Sequence, residues 1–198
     1  AQQDGQAIYI MDRPQAQQSA IFAGQVSPSR SDPDEMAISM MNTVLGGDFN
    51  ARVNMNLRED KGWSYGGGSI LLDARGQRPF VVFVPVQSDK TTESVQEIAG
   101  ELRGIVGDRP ITDEEVERAV LSRSLTLPGS WETNFAVLGS MAEMEQFDLP
   151  EDYFDTLADR IGSMEQEDLA DAARRVVQPD RLIWVVVGDK ALIEDGLR

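Results

Sequence analysis

The chain contains no histidine and no cysteine among its 198 residues. Without histidine it cannot assemble a Ser-His-Asp triad, nor a zinc site of the H-E-x-x-H or H-x-x-E-H kind. Without cysteine there is no thiolate nucleophile, no cysteine zinc site and no disulfide. That absence suits the cytoplasm and the bacterial periplasm equally, so the compartment stays open. Basic residues are scarce as well, 18 against 34 acidic ones, for a formal net charge of −16. Such a chain repels phosphate backbones, so nucleic acid is not an expected partner. The acidic surface favours solubility and leaves a basic peptide or protein partner open. Long apolar runs are also missing. The longest, 80–86 and 182–187, are too short to cross a bilayer, and the opening AQQDGQ lacks the basic and apolar regions of a signal peptide. The expectation is a soluble chain, or a mature or excised piece of one.

What is present reads as one globular domain spanning 1–198. Its 41% hydrophobic and 26% charged composition is ordinary for a folded protein, and its length suits one well-buried core. Segments 7–12 and 20–26, rich in Ile, Val, Tyr and Phe, read as strands. Asp32 and Pro33 open a helix with Met36, Met40, Met41, Val44 and Leu45 at helical spacing, a stripe read as core packing. After Gly46-Gly47, a second helix carries Phe49, Val53 and Leu57 on one face and stops at Gly62. Strands are expected at 65–73 and 80–87.

Helices follow. One carries Val95, Ile98, Leu102 and Ile105. Another is opened by Thr112 with Glu115 in capping-box position. A third, after Pro128-Gly129, is expected to bury Phe135, Leu138, Met141 and Ala142. Two more are expected at 151–162 and 164–177, the last opened by Ser163, before a final strand at 181–188. Paired strands with helices grouped afterwards predict an α+β domain. Its sheet should be mostly antiparallel, with about five or six strands, and covered by helices mainly on one face.

Residues 57–69, LREDKGWSYGGGS, hold the local signals. Gly62-Trp63-Ser64-Tyr65-Gly66 matches G-x-S-x-G, but a nucleophile elbow runs from strand into helix, whereas here a helix stops and a strand begins. With no histidine base, Ser64 is read as a bystander. A Ser-Lys dyad with Lys61 is formally open, yet Lys61 lies in the last helical turn, where it complements the helix dipole. Gly66-Gly67-Gly68 lacks the G-K-[ST] of a phosphate loop, and glycines within a strand mark a bulge or close backbone approach. The acidic groups at 113–115 and 151–152 fall at expected helix starts and lack calcium-loop spacing.

Arg58 and Tyr65 remain. If the chain turns back after Gly62, a guanidinium fork and a phenol can point into one space, where both donate hydrogen bonds suited to a peptide carbonyl or an oxyanion. The alternative pairs Arg58 with Glu59 or another acid and packs Tyr65 in the core.

The same stretch resembles a known family. Leu45-Gly46-Gly47, Phe49-Asn50-Ala51-Arg52, Leu57-Arg58-Glu59 and Gly62-Trp63-Ser64-Tyr65-Gly66 are similar to the L-G-G-x-F-x-[SA]-R-[LV]…L-R-E-x-x-G-x-x-Y pattern of the pitrilysin and insulysin zinc metallopeptidases, which include the mitochondrial processing peptidases. The likeness is to their C-terminal, non-zinc domain, often called inactive. It extends to Gln18-Ser19, the 112–115 helix start, Trp131-Glu132-Thr133 and the terminal VVVGD. The resemblance implies a LuxS/processing-peptidase-like metallohydrolase fold. It also implies zinc carried by a homologous partner domain or subunit, a peptide substrate, and a chain not active alone. It further implies that Arg58 and Tyr65, at the family's seven-residue interval, bind the substrate main chain. No catalytic or metal-binding residue is expected in this chain itself. The alternative is a non-enzymatic scaffold or assembly subunit of the same fold, as in respiratory complexes.

Overall fold

A computed structural model describes residues 5–197. Among these residues five strands, β1 (Ala7–Asp12), β2 (Gln18–Ser27), β3 (Gly68–Leu71), β4 (Arg78–Gln87) and β5 (Ile183–Gly188), form one sheet in the order β1-β5-β2-β4-β3. The sheet is mixed. The β2–β4, β2–β5 and β3–β4 pairs are antiparallel, while β5 returns from the helical half to lie parallel to β1. Alternation along β4 shows why one face is covered. Phe80, Val82, Val84 and Val86 are fully buried, whereas Val81, Phe83 and Pro85 on the opposite face retain exposure.

The helices are α1 (Glu35–Asn42), α2 (Arg52–Asn54), α3 (Thr91–Val106), α4 (Asp113–Thr126), α5 (Asn134–Phe147), α6 (Leu157–Gly162), α7 (Gln166–Val176) and α8 (Lys190–Leu197). Two of them widen into π-helical turns, α1 at Thr43–Gly47 and α2 at Met55–Asp60. The methionine stripe packs as expected, with Met36, Met40, Met41, Val44 and Leu45 in one core with Ile98, Leu102, Leu169, Ala173 and the inner face of the sheet. Thr112 and Glu115 form the anticipated capping box of α4.

Several expectations are corrected. The strand expected at 65–73 pairs only over Gly68–Leu71, because the Gly66 and Gly67 amides donate to the Ser64 hydroxyl and the Asn54 side chain instead of to a neighbouring strand. Asp34 rather than Asp32 occupies the α1 cap, and Asp32 instead pairs with Arg175. Helix α7 is opened by a Glu165–Asp168 capping box instead of Ser163, residues 151–155 form turns, and α8 follows β5.

The largest correction is α5, where Phe135, Leu138, Met141 and Ala142 all face outward. Polar anchors decide its orientation. Ser140 accepts from the Trp131 indole, Glu143 accepts from Arg30, and the Phe147 carbonyl accepts from Ser31. Residues 140, 143 and 147 share one helical face, so 135, 138 and 142 lie opposite it.

Candidate functional site

The site is built on glycines. A Cβ on Gly46 would come 2.4 Å from the Ser69 nitrogen, and one on Gly68 would come 2.1 Å from the Gly46 carbonyl. The widened end of α1 can therefore lie directly against the start of β3. Gly67 is held as closely, since its Cβ would meet the Val84 side chain at 2.6 Å. The glycine run thus serves backbone approach, as its position in a strand entrance implied. Between these elements Asp48 accepts from the Asn50 amide (3.0 Å) and the Ser122 hydroxyl (2.7 Å). Those donors hold its carboxyl below the usual range, the backbone amide contributing most.

Beyond α2 the chain reverses at Gly62, whose φ of +66° is the left-handed conformation that glycine adopts without strain. The Gly62 amide donates to the Arg58 carbonyl (3.2 Å), and the Trp63 and Ser64 amides both donate to the Leu57 carbonyl (3.0 and 3.3 Å). The backbone next to Tyr65 therefore returns to the backbone next to Arg58. Ser64 closes this turn: its hydroxyl donates to the Pro85 carbonyl (2.6 Å) and accepts from the Gly66 amide (3.1 Å). Both bonds are structural. Lys61 is engaged elsewhere, paired with Glu97 at 3.0 Å and lying 5.5 Å from the Trp63 ring centroid, so no Ser-Lys dyad forms.

Tyr65 is 90% exposed. Its expected alternative, packing in the core, is not observed. Arg58 is about one-third exposed, with its guanidinium carbon 4.5 Å from the Phe49 ring centroid and Nε 3.5 Å from Glu59 Oε1. The structure thus brings the Arg58 and Tyr65 segments together while leaving the two side chains unbonded to each other. The sequence spacing placed Phe49 on one helical face with Val53 and Leu57. Those two are buried, but Phe49 is 58% exposed, because it lies in the turn before α2. Its stacking role had no sequence signal beyond its spacing from Arg58.

A second polar region lay outside the sequence reading. A cleft of about 410 Å³ between α1, the β3–β4 end and the α5–α6 segment is lined by Arg30, Glu35, Asp73, Arg78, Glu143 and Tyr153, among others. Arg78 pairs with Glu35 and Asp73, while Arg30 Nη2 donates to Glu143 (2.5 Å) and to the Tyr153 hydroxyl (2.9 Å). Burial pushes the Glu35 carboxyl up to about 7, outweighing the opposing pull of Arg78 and Arg30.

Among the described residues no group of three or more histidine, cysteine, aspartate or glutamate side chains could hold a metal ion, and no helix is long and apolar enough to cross a membrane. The zinc that the sequence likeness implies for a partner domain finds no fitting donor set among the described residues.

The class that the fold defines is an α+β domain with a half-covered mixed sheet and a glycine-built corner. Residues 1–122 match the model of the peptidase M16 inactive domain, and the chain belongs to that family. A search of the curated proteins finds no match. Among solved structures, the peptidase M16 inactive domain from Pseudomonas fluorescens is 22% identical, with a TM-score of 0.85 over 95% of this chain and 45% of that one. An inactive peptidase domain from Bordetella parapertussis is 16% identical, with a TM-score of 0.72 over 89% of this chain and 94% of that one. A periplasmic protease from Escherichia coli is 14% identical, with a TM-score of 0.73 over 91% of this chain and 20% of that one. The chain thus spans less than half the length of the Pseudomonas protein it matches.

Proposed function

We propose that this chain is the zinc-free domain of a metallopeptidase, binding the substrate peptide and supplying Arg58 and Tyr65 to an active site whose zinc is carried by another domain or subunit of the same fold. One observation carries the reading. The reversal at Gly62 returns the Ser64 amide to within 3.3 Å of the Leu57 carbonyl, so a partly exposed guanidinium and an exposed phenol flank one tight turn. An Arg fork and a phenol so placed can hold a peptide carbonyl and give stronger hydrogen bonds as negative charge develops on its oxygen. The zinc-bearing domain supplies the Lewis acid, while this chain binds and orients.

The test is peptide cleavage by the complete enzyme, with this domain and its zinc-bearing counterpart together, comparing Arg58→Ala and Tyr65→Phe with the parent. Removing one oxyanion donor lowers kcat by about 10²–10³-fold. Undiminished turnover in both variants removes the substrate role. It would instead favour the scaffold reading, which the Arg58–Glu59 ion pair at 3.5 Å supports.

A further inference from the structure

We infer that Phe49 and Asn54 are positioning residues for the Arg58–Tyr65 pair. Phe49 carries the guanidinium on its ring, and Asn54 fixes the Phe49 turn to the glycine run behind Tyr65. The inference rests on the reading of that pair given above.

Three features support it. First, an aromatic ring that is 58% exposed has been left out of the core and covered on one face by the Arg58 guanidinium at 4.5 Å. A cation over a ring face is attracted by the ring quadrupole, and an arginine held this way loses less rotamer freedom when it binds a carbonyl. The ion pair with Glu59 is long, 3.5 Å from Nε to Oε1, and the two side chains keep 36% and 43% of their surface in solvent, so it holds the guanidinium weakly.

Second, Asn54 is 4% exposed and bonds both halves of the site. Its Nδ2 donates to the Phe49 carbonyl (2.7 Å), and its Oδ1 accepts from the Gly67 amide (3.2 Å). Only this orientation of the amide satisfies both partners, and a buried amide left half-satisfied would be costly. Third, Arg58 lies in the π-helical turn Met55–Asp60, where Lys61 donates to the Asn56 carbonyl five residues back (3.0 Å). The widened turn changes where each side chain emerges, so Arg58 depends on its partners as well as on helix register.

Two measurements test this. In the NMR spectrum of the chain, the Arg58 side-chain signals carry an upfield ring-current shift that Phe49→Leu abolishes and Phe49→Tyr retains. In peptide cleavage by the complete enzyme, Phe49→Leu lowers kcat/KM by about 3- to 30-fold, the range of one cation–ring contact, and Phe49→Tyr restores it. The double variant Phe49→Leu/Arg58→Ala is then no worse than Arg58→Ala alone, because both remove one device. Asn54→Ala exposes the Gly67 amide to faster hydrogen exchange and lowers kcat/KM. A far-UV circular dichroism spectrum of Asn54→Ala that matches the parent controls for loss of folding.

Unshifted Arg58 signals in Phe49→Leu, or losses from Phe49 and Arg58 that multiply, overturn the role of Phe49. Unchanged Gly67 exchange in Asn54→Ala overturns that of Asn54. If Arg58→Ala itself leaves turnover intact, the substrate reading fails, while the spectroscopic measurement still decides whether the guanidinium is held.

Discussion

Two corners of the molecule that carry arginine differ in what surrounds the guanidinium. In the cleft, Arg30 and Arg78 are 8% and 1% exposed, and Glu35, Asp73 and Glu143 neutralise them. At the Gly62 turn, the partly exposed Arg58 rests on an aromatic ring and lies 3.5 Å from Glu59. A buried arginine must be paired because its desolvation is otherwise uncompensated, so its hydrogen bonds are committed to the fold. An arginine on a ring keeps its terminal donors for an incoming group. The cleft therefore belongs to stability, and recognition is the role proposed for the turn.

Breaking the buried network gives the largest effect. Arg78→Met leaves the buried Glu35 carboxyl without its nearest partner beside β4 and is expected to cost about 3–5 kcal/mol in urea unfolding. A cost below 1 kcal/mol would show that the pair is solvated. Arg58→Ala, by contrast, is expected to change stability by less than about 1 kcal/mol, since it removes one exposed ion pair, even where it abolishes turnover.

The next effect is a pH dependence. Folded Glu35 keeps its proton to about 7, whereas the unfolded chain releases it near the ordinary value of 4.5. Its contribution to stability is full below that ordinary value and lost as pH rises through 7, a change of about 3 kcal/mol at 1.36 kcal/mol per pKa unit. Asp48, Glu97 and Glu115 act in the opposite sense. Their lowered pKa values give stability at neutral pH that is lost as acid protonates them. Unfolding free energy should therefore fall between about pH 5 and 7 in the parent and stay level in Glu35→Gln. Equal slopes in the two proteins would assign the effect to another group.

How much of this was legible in the sequence depends on whether the signal was periodic. The Met36–Leu45 stripe, the alternation in β4 and the Thr112–Glu115 box were readable because spacing alone specifies them. The turn at Gly62 was readable from glycine chemistry. The roles of Phe49 and Asn54 were not, because a contact across a turn and a buried amide bridging two loops leave no period. Arg78 and Glu35 lie far apart in the chain, so their pairing exists only once α1 crosses the end of β4. Helix α5 misled for a related reason. Its apolar spacing was real, but three polar bonds on its other face decide which side meets the domain.

That outward face gives the smallest expected effect and the sharpest contrast with the core. Phe135 and Leu138 are 86% and 60% exposed, so little of their apolar area leaves water when this chain folds alone. Phe135→Ser and Leu138→Ser should each change unfolding free energy by no more than about 0.5 kcal/mol, as substitutions away from buried features do. Phe147 ends the same helix but is 5% exposed, and Phe147→Ala is expected to cost about 3–5 kcal/mol. The same urea titration reads all three. A loss of 2 kcal/mol or more from Phe135→Ser would mean that the ring is covered in solution, and that the polar anchors at Ser140 and Glu143 do not set the orientation of α5.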